Sequence, residues 1–111
     1  MIIRFIIYNA ILITFLAFGQ LAGQSAFISN IDKSTGSLNE IVTINGRGFS
    51  DDQSDLRVYF GAGEATIVSS SENILEVRVP ANATYDHINV INLSTGVRVA
   101  SREKFLMSFG G

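Results

Sequence analysis

Two segments, "LRVYFG" at Leu56–Gly61 and "ILEVRVP" at Ile74–Pro80, alternate apolar and polar residues one by one. Leu56, Val58 and Phe60 fall on one side, with Arg57 and Tyr59 on the other; Leu75, Val77 and Val79 oppose Glu76 and Arg78 in the same way. A strand turns successive side chains to opposite faces, so this period-two pattern marks strands buried on one face only. "GVRVAS" repeats it with Val97 and Val99 around Arg98, and "KFLMSF" with Phe105, Met107 and Phe109. "IVTING" and "HINVINL" carry more β-branched bulk and less charge, which predicts more central or better covered strands. No window has apolar residues at helical spacing over a helical length. Crossover helices are therefore not expected, and neither is a parallel sheet.

Turn formers interrupt at short intervals, as "STGS", "NGRG", "GAG", "SSSEN", "PANAT" and "STG". Short strands at that spacing predict an all-β sandwich of about seven mainly antiparallel strands. Within "IVTINGRGFS", Ile41–Ile44 is expected to be strand, with Asn45, Gly46 and Gly48 tolerating positive φ at a corner. Phe49 then returns to the core as the chain passes to the other sheet.

The first 25 residues read differently. "MIIR" is a short basic start, "FIIYNAILITFLAFG" is apolar apart from Asn9 and Thr14, and "QLAGQSA" supplies small residues. That order is expected for a secretory signal peptide over residues 1–25, with Gly23 and Ser25 at a small-x-small cleavage site. The apolar core is shorter than the ~20 residues that span hydrocarbon, so no stable membrane span is expected once the leader is removed. Residues 27–109 are then a single domain in a secreted or extracytoplasmic setting, the periplasm or a cell surface.

Arg4 is the only charged residue before residue 27, so seven of the 8 basic residues remain against 10 acidic ones. The mature charge of −3 and the scatter of its cations argue against nucleic acid, which needs clustered Lys and Arg. Cysteine is absent. The domain therefore depends on its apolar core, without disulfides, despite the exported destination.

Few residues offer chemistry. His87 is the single histidine, and no nucleophile-elbow sequence accompanies it, so a strand-edge role is expected rather than Ser-His-Asp catalysis. A zinc cage lacks ligands. Asp51, Asp52 and Asp55, with Gln53 and Ser54 between them, can supply oxygen ligands to calcium, although the EF-hand glycine and terminal glutamate are missing. A solvated acidic loop is the expected outcome, and no cofactor is expected. Tyr59 and Tyr85, with outward Ile91 and Leu93, are candidates for a sugar-stacking or protein-docking patch, since tyrosine joins an apolar ring to a polar tip. Asn82 and Asn92 stand in N-x-S/T sequences, which in a bacterial chain have no glycosylation role.

Taken in order, "GSLNEIVTINGRGFS", "VYFGAGEATIVSSSENILEVRVPANAT" and "INVINLSTG" resemble the immunoglobulin-like, plexin and transcription-factor (IPT/TIG) domain. The family's threonine–aliphatic–glycine corner falls on Thr43, Ile44, Gly46, Gly48 and Phe49, and its valine-x-phenylalanine-glycine on Val58, Phe60 and Gly61. Ala65 and Ile67, then Val79-Pro80-Ala81, then Val90 and Gly96 complete the match. The proline that often follows the family's first strand is replaced here by Asp32-Lys33-Ser34.

The resemblance implies an early-set immunoglobulin sandwich and no catalysis. It implies a bacterial secreted or cell-surface module that meets a protein or glycan ligand. The alternative is a structural spacer beside neighbouring domains of a longer parent, including a carbohydrate-active one. A small exported hydrolase is a remote third.

Overall fold

The computed structural model describes residues 26–109; the expected leader lies outside them. Two sheets face each other. One has strand order β1–β3–β7–β6, built from Phe27–Ile31, Ile41–Arg47, Ile74–Arg78 and Thr66–Ser70. The other has order β2–β9–β8–β4–β5, built from Thr35–Gly36, Val97–Met107, Asp86–Asn92, Leu56–Phe60 and Gly63–Glu64. The low-charge segments β3 and β8 are flanked by strands on both sides, as their composition predicts. This is an all-β, immunoglobulin-like sandwich.

The alternation is converted directly into the core. Leu56, Val58 and Phe60 of β4 and Ile88 and Val90 of β8 point inward from the five-stranded sheet. Val42 and Ile44 of β3, with Leu75 and Val77 of β7, meet them from the other sheet. Each such side chain gains about 1.5–3 kcal/mol from leaving water. Phe105 on β9 is fully buried and Met107 packs against the core.

Three expectations need correction. Phe109 does not continue the inward row: β9 ends at Met107, and Phe109, two residues past the end of the strand, is 86% exposed. Val97, at the turn end of β9, is likewise exposed. Asn45 and Gly46 belong to β3, which runs to Arg47, and only Gly48 in this corner takes a positive φ, +86°. Gly46 is required for space instead, since a Cβ there would overlap the Phe27 carbonyl of the neighbouring β1. A parallel contact also exists, Thr35–Gly36 of β2 beside Leu106–Met107 of β9. It spans two residues and needs no crossover helix, because the chain simply switches sheets after β1.

Bulges explain where the period fails. In "FISNI" the buried residues are Ile28 and Ile31, three apart, because the register shifts between Ile28 and Asn30 against β3. An extra residue in one strand resets which face the next side chain takes.

Candidate functional site

The outer face of the five-stranded sheet carries the candidate residues. Register sets them in rows: Tyr59 of β4 lies opposite Asn89 of β8, which lies opposite Ala100 of β9. One row along the same face, Arg57, Ile91 and Arg98 align. Adjacent strands are about 4.8 Å apart, so long side chains in these rows reach one another. Tyr59, Asn89 and Arg98, with Gly61 and Ala62 of the β4–β5 turn, line a shallow depression of about 310 Å³.

The polar groups around this depression differ in how they are occupied. Arg57 donates to the Leu56 carbonyl at 2.8 Å and lies 3.7 Å from the Glu64 carboxylate, which its neighbour strand β5 places beside Tyr59. Asn89 donates weakly to the His87 carbonyl at 3.4 Å. Among the described residues the Tyr59 hydroxyl, the Asn89 Oδ1 and the Arg98 guanidinium take part in no hydrogen bond, and Arg98 in no ion pair. Three uncommitted groups thus border one concavity: an acceptor, a cation and an amphipathic ring.

Tyr85 is elsewhere. It precedes β8, four positions before Asn89, and Lys104 stands 5.3 Å from its ring centroid. It is 63% exposed, and does not line the depression with Tyr59. Ile91 is half-buried between Arg57 and Arg98 in their row, while Leu93 has left the strand and is exposed.

His87 is half-buried at the start of β8, a strand interior to its sheet, and its Nδ1 bonds the Ser101 carbonyl at 2.8 Å. The Ser101 hydroxyl does not face the imidazole. It donates to the Glu103 carbonyl at 2.6 Å and accepts from the Ile88 amide at 2.9 Å, filling the irregularity between β8 and β9. These bonds lock two strands together.

The acidic loop is likewise spent on local structure. Asp52 caps the 3-10 helix Gln53–Asp55, accepting from the Ser54 amide at 3.0 Å and its hydroxyl at 2.7 Å. Those bonds, the hydroxyl first, hold its carboxyl below the ordinary value of 3.8. Asp55 accepts from the Ser50 hydroxyl at 3.2 Å. Asp51, Asp52 and Asp55 are not gathered, and no group of three or more metal-ligating side chains occurs among the described residues. Asn92 is buried, contrary to what an acceptor of a glycan requires. Its Oδ1 receives the Ser94 amide and hydroxyl, and its Nδ2 donates to the Gly48 carbonyl at 3.2 Å.

Asn89 and Arg98 carry no site signal of their own in the sequence, since each is an ordinary outward strand residue. The signal was present in the turn "NLSTGV": pairing Asn92 with Val97 across it forces Ile91 opposite Arg98 and places Asn89 on that same face.

Strand order, sheet switch and buried rows define the class, an immunoglobulin-like sandwich that presents one sheet face. The family follows: the IPT/TIG domain matches residues 26–104, and the chain belongs to it. Fibrocystin-L of Homo sapiens is 33% identical over 86 residues, 71% of this chain and 2% of that protein. An auxiliary nutrient binding protein from Bacteroides thetaiotaomicron superposes with a TM-score of 0.68 at 25% identity, over 75% of this chain and 21% of its own. A structural genomics protein of unknown function from that bacterium gives 0.68 at 27% identity, over 77% and 22%. A putative phosphatase from the same organism, 19% identical with a TM-score of 0.71, shares the fold. The chain spans only 2% of the length of fibrocystin-L and 21% of that of the first Bacteroides protein. IPT/TIG domains are generally non-catalytic and mediate protein interactions. Among the described residues no helix is long and apolar enough to cross a membrane.

Proposed function

We propose that this chain is a non-catalytic binding module, exported and extracytoplasmic, that meets a glycan or protein ligand with the outer face of its five-stranded sheet. The observation that carries this is the depression at Tyr59, where Asn89 and Arg98 bring uncommitted polar groups beside an aromatic ring. Ligand sites combine an apolar surface with a few placed polar groups, and this depression has that composition. The rigid sheet fixes the geometry, so little ordering cost falls on binding. Tyr85 is a second, more exposed ring, outside the depression at the approach to β8. The Bacteroides likeness supports a nutrient-gathering setting for the module.

A spacer role is the second reading, favoured by the small share of each relative that the chain spans and by exposed Leu106 and Phe109 beside the end of β9. Screening the purified chain against arrayed glycans and surface-protein extracts, with Tyr59→Ala and Tyr85→Ala alongside, separates the two. A ligand whose binding drops with Tyr59→Ala supports the module. Ligands bound equally by the native chain and both variants would remove this face from consideration.

A further inference from the structure

We infer that the Tyr59 depression is built for an acidic polysaccharide and takes one uronate unit, its carboxylate on Arg98. This deepens the binding-module proposal and rests on it. Of the two guanidiniums nearest the depression, Arg57 is already committed to Glu64 and to backbone carbonyls. Arg98, on the opposite side of Asn89, has no anion or carbonyl among the described residues. One cation is thus left uncompensated at the rim of a concavity, in a chain whose net charge is −2. The planar fork of an arginine suits a carboxylate, which it can hold through two parallel bonds.

The remaining lining selects what carries that carboxylate. Tyr59 offers apolar ring surface with a hydroxyl at its tip, and Asn89 Oδ1 is an acceptor for a hydroxyl donor. An acidic peptide would supply the carboxylate on a flexible stem and few hydroxyl donors. A uronic acid supplies carboxylate, ring hydroxyls and an apolar C–H face in one rigid unit. The depression, about 310 Å³, lies at the small end of ligand sites, which run from roughly 300 Å³. It is open on the sheet surface, so a polymer can continue past it on both sides.

Polygalacturonate and its methyl ester share a backbone and differ in the charge, which makes them the deciding pair. Titration calorimetry of the purified chain should show binding to polygalacturonate at least about tenfold tighter than to the methyl ester. Arg98→Gln should remove about tenfold, the scale of one charge-assisted hydrogen bond, with an unchanged melting temperature because the side chain is exposed. Raising salt from low to high should weaken the native chain and leave Arg98→Gln nearly flat. Equal binding of both polymers, still dependent on Tyr59, overturns the uronate inference and leaves the binding module standing. Polyglutamate binding as tight as polygalacturonate, indifferent to Tyr59→Ala, overturns both the sugar assignment and the role of the ring. Absence of binding to polygalacturonate by the folded native chain also overturns it.

Discussion

Phe60 and Phe105 meet edge to face, their ring centroids 4.9 Å apart and their planes at 81°. They come from β4 and β9, which do not pair, and close the core around the intervening β8. Both are fully buried. The edge-on geometry sets the positive rim of one ring against the negative face of the other and adds about 0.5–1.5 kcal/mol beyond burial. Phe60→Ala should therefore cost on the order of 3–5 kcal/mol, close to unfolding for a domain held by about 5–10 kcal/mol. Arg57→Ala, one face over, should cost about 1 kcal/mol or less. Denaturant unfolding of the two variants checks this, and comparable losses would refute the division of β4 into an inner and an outer face.

Gly46 and Gly96 make a second, sharper comparison. A Cβ on Gly46 would overlap the Phe27 carbonyl and come within 2.8 Å of the Phe49 ring. Gly96, at φ +76°, has nothing within 4 Å. Gly96→Ala should lose only the left-handed backbone penalty of about 1–2 kcal/mol. Gly46→Ala must push β1 from β3, so its loss should exceed that, with amide exchange rising selectively along Phe27–Ile31. Matched destabilisation without selective exchange would count against a steric role for Gly46.

The same positions show what the sequence revealed and what it concealed. Alternation identified the inward rows of β4, β7 and most of β9, because one-sided burial imposes the period directly on residue type. The corner at "NGRG" is legible as a corner, yet nothing in residue type marks Gly46 as a strand residue whose need is space. Residue type alone does not separate a glycine required by φ from one required by a neighbour. Phe109 departs for a related reason: the alternating pattern continues in sequence after β9 itself has ended at Met107. Of the candidate site, Tyr59 could be seen as outward, but its companions depend on which strands pair. Tyr59 of β4 meets Asn89, 30 positions further along the chain, a long-range fact that no local window contains.

Acid should weaken the fold through Glu40 and Asp52. The Glu40 carboxylate accepts from the Ser37 amide at 2.9 Å and from Lys33 Nζ at 3.0 Å, and these hold its carboxyl below the ordinary 4.5, the amide foremost. A carboxylate whose folded pKa is depressed contributes stability above its unfolded value and loses it as pH falls through the folded one. Stability should thus decline as pH drops below about 4.5, and Glu40→Gln should flatten that decline. Lys33 is raised above 10.5, chiefly by its bond to Glu40, so its contribution is complete below 10.5 and lost as pH rises beyond it. Melting temperature against pH for the native chain and Glu40→Gln measures both arms; superimposable acid limbs would dismiss the Glu40 account.

Asn92 should prove a structural residue. Its amide joins the β8–β9 turn to the Gly48 corner, so Asn92→Ala removes the partner of the Gly48 carbonyl and the receiver of the Ser94 amide. Unsatisfied groups of this kind cost about 1–3 kcal/mol each. Asn82→Ala, in the exposed β7–β8 loop, should cost under ~0.5 kcal/mol. Chemical denaturation of both variants, at matched protein concentration, gives the comparison, and an Asn92 loss no larger than that of Asn82 would defeat it.

His87 provides the last test, because it divides binding from chemistry. Its Nδ1 is engaged by the Ser101 carbonyl, and the nearby hydroxyl of Ser101 is turned to Glu103. A general base needs a nucleophile within reach of its free nitrogen; Nδ1 is held by the Ser101 carbonyl, and among the described residues no hydroxyl bonds the remaining Nε2. His87→Ala should therefore lower stability by about 1 kcal/mol, the net worth of one hydrogen bond. It should leave ligand affinity at the Tyr59 depression within a few tenths of a kcal/mol. Affinity and thermal unfolding of the variant are measured beside assays with ester, peptide and glycoside substrates. Turnover by the native chain that disappears in His87→Ala would replace the binding module with an enzyme.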